Sequence, residues 1–369
     1  MATAAAVSRY LEVQGLTKWF GGDRAVEDVS FAVPKGHFVT LLGPSGCGKT
    51  TTLMSIAGLH RIDAGRISVG GIVYTSPADH LFVAPEKRDI GMVFQSYAIW
   101  PHMTVKQNVA YPLEVRGIKP AERDARVADV LRLVGLTDMA GKLATQLSGG
   151  QQQRAALARA IVSRPRLLLF DEPLSNLDAK LREQMRIEMK RIQHEVGITS
   201  VYVTHDQAEA LVMSDEIIVM SKGHIEQRGG PHEIYTRPVN AYVSNFIGVA
   251  NLLKARVVKV TAPGRGEAEI FEGAKRARLG CRLADGLGEG ADAILSVRPE
   301  NVQTRRENGG GLCLEGEVRQ TIFLGNCVDC RVRWGDFEWK VLTHPRARLR
   351  EGDKIYLHID PEHTLAVRP

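Results

Sequence analysis

Gly43-Pro44-Ser45-Gly46-Cys47-Gly48-Lys49-Thr50 is the stretch that decides the fold. It fits G-x-x-x-x-G-K-[ST], a loop that cradles nucleotide phosphates. The apolar run Phe38-Val39-Thr40-Leu41-Leu42 leads into it and reads as a buried strand, and Leu53, Ile56 and Ala57 follow at helical spacing. Strand, loop and helix in that order are the context the pattern requires. Glycines let the backbone close around phosphate with its N–H groups pointing at the anion, and the helix start adds a positive dipole end. Lys49 then reaches the β- and γ-phosphates, and Thr50 offers its hydroxyl to Mg²⁺. Cys47 sits beside Lys49 and the helix start, and both favour its thiolate.

Outward from this loop the chain alternates short strands and helices. Leu11–Gln14 and Val29–Val33 alternate as strands, with a turn at Pro34-Lys35-Gly36. Thr104-Val105-Lys106-Gln107 reads as a capping box, and Pro120 suits the first turn of a helix whose stripe Val127, Val130, Leu131, Val134 ends at Gly135. Leu167–Phe170 and Val201–Val203 are continuous apolar strands on either side of a helical stretch from Ala179 to about Val196. Such strands mark a parallel sheet covered on both faces. After Asn251 the texture changes to alternating segments between Gly and Pro turns: Lys254–Val260, Ala293–Val297, Gly316–Phe323, Cys327–Trp334 and Lys354–Ile359. This predicts a smaller all-β, barrel-like domain. The expected boundaries are 10–247 and 250–369.

Composition fits that reading. The chain has 369 residues, 44% hydrophobic and 24% charged, with a net charge of +6. No apolar run nears the roughly 18 residues of a membrane span. Met1–Val7 lacks a long apolar core, so no signal peptide is expected. Five cysteines imply no disulfide framework and a reducing compartment. The charge is mild and is not a nucleic-acid signature. Cys327-Val328-Asp329-Cys330 has no second Cys pair or His cluster to complete a zinc site, and ordinary strand packing is the preferred reading.

Two further runs carry chemistry. In Leu147-Ser148-Gly149-Gly150-Gln151, Ser148 is a natural N-cap, and the glycines leave room for a ligand at the helix start. Leu167–Phe170 delivers Asp171 and Glu172 to a strand end, where open α/β sheets bind ligands. Neighbouring strand residues point opposite ways, so one acid can face a metal ion and the other the attacking water.

Together these runs resemble the ATP-binding-cassette (ABC) ATPases, over roughly residues 10–247. The resemblance implies a P-loop cassette of α/β class, with an antiparallel β subdomain and a helical subdomain. It implies ATP and Mg²⁺ as cofactors, ATP being held by residues 43–50 and Thr51. Glu172 would be the general base, His205 in Thr204-His205-Asp206 the switch histidine and Lys49 the phosphate-binding cation. Asp171, Thr50 and Gln95 would face the metal, Gln95 lying in a loop (Val93–Tyr97) that also faces the membrane subunits. Ser148 to Gln151 with Leu147 would contact the γ-phosphate held by a second copy, and Ser175-Asn176-Leu177-Asp178 would cross the dimer interface. Phe20, or the adjacent Trp19, would stack on adenine.

Val297–Val302 and Thr321–Gly325 make the tail similar to the oligonucleotide-binding-like regulatory domain of prokaryotic importer ATPases. Gln95–His102 resembles the same subgroup, and there Tyr97 and Trp100 suit a groove that docks a permease. The implied protein is a peripheral ATPase on the cytoplasmic face of the inner membrane. It would act as a homodimer with permease subunits and, indirectly, an extracytoplasmic solute-binding protein, without nucleic acid. The Phe-Leu-Gly segment leans towards polyamine, ferric-ion or phosphonate-type importers over sugar importers.

Two other classes share part of the pattern. A non-transport ABC ATPase acting on DNA or ribosomes would carry a coiled-coil or zinc insertion, or a second cassette. A small-molecule P-loop kinase would lack the 147–151 run. Co-purification with a polytopic permease rather than ribosomes or DNA discriminates the first of these.

Overall fold

The computed structural model describes residues 9–308 and 313–369. Contacts gather the chain into two units, one up to Pro231 and one from His232.

The first unit is built on a six-stranded sheet in the order His224–Gly229, Glu216–Ser221, Phe38–Leu42, Thr199–Thr204, Leu167–Asp171, Ile90–Val93. All neighbours are parallel except the outer hairpin of the first two strands. The apolar strands serve two cores at once. Leu168 and Phe170 join Phe38, Tyr202 and the helices on one face, while Leu167 and Leu169 join Val39, Leu41, Val201 and Val203 on the other. That explains why the sequence shows no polar alternation there.

The second core also takes one face of a five-stranded antiparallel sheet, in the order Asp23–Pro34, Arg9–Phe20, Ala64–Val69, Ile72–Ser76, Leu81–Phe82. The first core extends over the helices Val105–Val115, Pro120–Leu133, Gly149–Ile161 and Ala179–Val196. Their start signals are those read from the sequence. Thr104 and Gln107 form a capping box, Pro120 opens its helix, and Gly135 takes φ 65° just past the end of that helix.

The second unit begins with two short helices, Pro231–Thr236 and Ala241–Phe246. It thus starts earlier than the expected boundary at 247–250. Arg298 supplies the reason: its guanidinium donates to the carbonyls of Tyr235, Ser244 and Val249, tying both helices to the β-structure. The β-structure is more than one barrel. Asn251–Ala262, Arg265–Glu272, Lys275–Leu283, Thr364–Val367 and Asp292–Val297 close a barrel, and a separate sheet runs Val302–Arg305, Lys354–Ile359, Cys313–Phe323, Val328–Trp334, Phe337–Thr343. Both feed one core around the fully buried Trp339. Arg265–Glu272 escaped the sequence reading because two of its three inward residues, Gly266 and Ala268, are small beside Ile270, and its outward residues Glu267 and Glu269 dominate the pattern. Cys330 packs in this core against Thr343, as strand packing predicts.

Candidate functional site

Adjacent strands of the central sheet end together, and the chemistry-bearing residues leave from those ends. Gly43 follows Phe38–Leu42, His205 follows Thr199–Thr204, Asp171 and Glu172 close Leu167–Asp171, and Gln95 stands two residues beyond Ile90–Val93. The loop between strand and helix is tight. A Cβ on Gly43 would collide with the Met220 carbonyl and Cys47 Sγ, and one on Gly48 with the Ala25 carbonyl. Gly48 N-caps the helix Lys49–Ala57 with φ 100°, a value glycine adopts without penalty. The N–H groups of Lys49, Thr50 and Thr51 have no acceptor within the helix, which suits an anion. Lys49 is 4% exposed, and its ammonium donates to the carbonyls of Gly43 (2.7 Å) and Pro44 (2.9 Å). Pro44, Ser45 and Gly46 form the exposed crest of the loop.

Across the sheet edge, Thr50 Oγ1 donates to Asp171 Oδ1 at 3.2 Å. Burial raises the Asp171 carboxyl above its ordinary pKa; the Thr50 hydrogen bond opposes this, Glu172 adds to it, and Lys49 opposes it. Glu172 lies in the left-handed region with φ 43°. It is held there by its N–H on the Val203 carbonyl and by the Ser175 hydroxyl on its own carbonyl. Strained backbone so over-determined is typical of a reacting centre. The Glu172 carboxylate meets His205 Nδ1 at 3.1 Å. Asn176 donates to the Gln95 carbonyl at 2.9 Å, which joins that exposed loop to the segment after the two acids.

Ser148 N-caps Gly149–Ile161 in a capping box with Gln151. Ser148 and Gly149 stand exposed at this helix start while Gly150 is buried, and the N–H of Gly149 lacks an intrahelical acceptor. No hydrogen bond among the described residues joins 147–151 to 43–50. Asp178 caps the helix Ala179–Val196 by accepting from the Leu181 N–H. Phe20 is 46% exposed and meets His60 edge-on, whereas Trp19 carries Arg24 over its ring. Both rings thus carry a cation, Lys18 lying 5.3 Å from the Phe20 centroid.

Several side chains stand otherwise than the sequence suggests. Cys47 is buried, and burial raises its pKa although Lys49 acts in the opposite direction; the thiol, not the thiolate, is favoured. Leu147 points into the helical core. Gly150 gives its room to Leu181, whose Cδ1 would lie 3.0 Å from an added Cβ, and Gly149 faces Leu177. The missing side chains therefore serve packing within the chain. Tyr97 is 7% exposed and belongs to the core, so of the two aromatics only Trp100 lines a surface groove. Arg159, which the sequence reading missed, also lines that groove. Nothing in its local pattern distinguishes it from a helix-surface arginine.

Known proteins show the family. A family profile described as ABC transporter matches residues 26–175, and one described as TOBE domain matches 295–367. The chain is 46% identical over 330 residues to the spermidine/putrescine import ATP-binding protein PotA of Pseudomonas aeruginosa, covering 86% of this chain and 85% of that one. The chain belongs to the ATP-binding subunits of ABC import systems. Its ABC relatives include the trehalose/maltose import ATP-binding protein MalK of Thermococcus litoralis, 47% identical over 353 residues and covering 93% of each chain. The Fe(3+) ions import ATP-binding protein FbpC of Agrobacterium fabrum is 44% identical over 319 residues, with 86% of each covered. A solved dimeric bacterial ABC transporter cassette superposes with a TM-score of 0.52 at 33% identity, over 60% of this chain and 98% of that one. As an ABC import ATPase the chain binds and hydrolyses ATP. Among the described residues, no helix is long and apolar enough to cross a membrane.

Proposed function

We propose that two copies of this chain face each other head to tail and drive a partner permease from the cytoplasmic face of the inner membrane. An extracytoplasmic solute-binding protein would deliver the cargo. The observation carrying the reading is the convergence of Lys49, Thr50, Asp171, Glu172 and His205 at one sheet edge. Each ATP would lie between the 43–51 loop of one copy and the Ser148 helix start of the other. The unpartnered N–H groups at both ends suit its phosphates. Phe20 would stack on adenine.

The hydroxyl of Thr50, the carboxylate of Asp171 and the side-chain amide oxygen of Gln95 are hard oxygen donors of the kind Mg²⁺ takes together with nucleotide phosphates. The Thr50–Asp171 contact puts two of them side by side, so the donor set fits. Mg²⁺ would neutralise charge on the phosphates as the terminal one departs. Lys49 supplies a fixed charge to the same oxygens. Glu172 accepts a proton from the attacking water and orients it. His205, at 3.1 Å from Glu172, fixes the carboxylate and reports on the phosphate side.

A groove of about 450 Å³, lined by apolar Met92, Phe94 and Trp100 and by charged Asp89 and Arg116, receives a permease segment. The cargo is chosen elsewhere. Relatives named for polyamine, disaccharide and ferric-ion import share 46%, 47% and 44% of the aligned residues, so identity does not favour the non-sugar classes. The test is reconstitution in vesicles with the permease and binding protein encoded beside it. Cargo is expected to stimulate ATP turnover, and cargo-independent turnover would overturn the import reading.

A further inference from the structure

Arg159 lies on the helix that Ser148 starts, yet it reaches into the loop that follows Gln95. Its Nη1 donates to the Ala98 carbonyl at 2.6 Å and its Nη2 to the Tyr97 carbonyl at 2.8 Å. Its guanidinium covers the Trp100 ring at 4.6 Å. Tyr97 and Ala98 are consecutive non-glycine residues in the left-handed region, with φ 60° and 48°. Such a pair persists only where its surroundings over-determine it. Two anchors do so. One is Tyr97 itself, buried in the helical core. The other is Asn108, which accepts from the Trp100 N–H and donates to the carbonyls of Trp100, Met103 and Thr104. Arg159 adds a third anchor, from the Ser148 helix. Burial lowers its pKa and no carboxylate pairs with it among the described residues, so the two carbonyls and the indole face compensate its charge.

We propose that Arg159 is a positioning residue that clamps the 95–100 loop to the Ser148 helix, so that a segment seated in the groove beside Trp100 and a nucleotide at Ser148 act on one rigid body. This rests on the proposed docking groove. The planar fork is essential, because lysine cannot bond both carbonyls while stacking on an indole. Arg159→Lys therefore keeps the charge and removes the clamp.

Two measurements test it. The first uses the isolated full-length chain and hydrogen exchange. Arg159→Lys should speed exchange of the Tyr97 and Trp100 amides about tenfold or more, the effect of losing one charge-assisted hydrogen bond. ATP affinity should stay within about threefold, because Arg159 is not at the phosphate edge. Unchanged exchange overturns the clamp whatever the permease does. The second uses vesicles with permease, binding protein and cargo. Arg159→Lys should hold basal turnover while the cargo-stimulated ratio falls towards one. Fast exchange with full stimulation would make Arg159 a local brace and overturn the coupling role. If the import reading itself is at fault, the unsubstituted protein already lacks stimulation. Ala98→Gly, which relieves the left-handed strain without touching Arg159, should restore part of the stimulation to the lysine variant; no restoration would overturn the strain argument.

Discussion

At the scale of single residues, burial decides chemistry as firmly as identity does. Glu172 and Asp171 are neighbours in sequence, yet one meets His205 and the other Thr50. Asp171 is the last strand residue while Glu172, at φ 43°, has left the strand, so the two carboxylates meet different partners. Glu172→Gln should keep ATP affinity and lower turnover by about a hundredfold or more, since an amide cannot accept the proton of water. It should also accumulate an ATP-bound dimer on a sizing column, and near-normal steady-state turnover would refute the assigned role. Cys47 illustrates the same lesson in reverse. Its thiol is buried and its pKa raised by that burial, so alkylation of the native chain near neutral pH should be roughly tenfold or more slower at Cys47 than at the half-buried Cys313. Peptide mass analysis over a time course measures both rates, and rapid labelling of Cys47 would contradict its placement.

At the scale of elements, helix starts carry the proposed recognition. Gly149–Ile161 begins with a capping box that satisfies the Gln151 N–H while the exposed Gly149 keeps a free N–H. Ser148→Ala should cost about 1 kcal/mol of helix stability through the lost cap. Ser148→Arg should do more to assembly than to binding, because a long side chain at the exposed helix end blocks a facing copy. We expect ATP binding by the monomer within about threefold of the parent and no ATP-driven dimer, the site lying away from the 43–50 loop. A variant that still dimerises with ATP would exclude a shared site. The phosphate loop, the two acids and the capped helix are all legible in the sequence, because each is written in a few consecutive residues. The barrel strand Arg265–Glu272 is not, because small Gly266 and Ala268 among its inward residues and charged outward ones blur the apolar alternation.

At the scale of the whole molecule, the division of labour follows the division of contacts. Every residue at the central sheet edge lies before Pro231, and the helices Pro231–Thr236 and Ala241–Phe246 are tied by Arg298 to the β-unit. A 1–231 fragment should therefore bind ATP and stay soluble. A 1–247 fragment should bind equally but aggregate sooner, since Ile234 and Val243, both fully buried, would travel without the β-structure that Arg298 attaches to their helices. Light scattering and nucleotide titration of the two fragments compare them directly. A folded 1–231 fragment unable to bind ATP would overturn the division.

The sequence by itself determined the phosphate loop, the paired acids, the capped helix start and the change to β-structure after residue 250. These features depend on backbone conformation and hydrogen bonds among near neighbours, and short runs of residues specify both. Tertiary structure alone decided that Cys47 is a shielded thiol, that Tyr97 is core while Trp100 faces the groove, that Leu181 fills the space beside Gly150, and that the second unit starts at His232. It alone brought Arg159 onto carbonyls 61 and 62 positions earlier in the chain. Burial, and bonds of such sequence separation, exist only once the sheet has set which elements lie side by side.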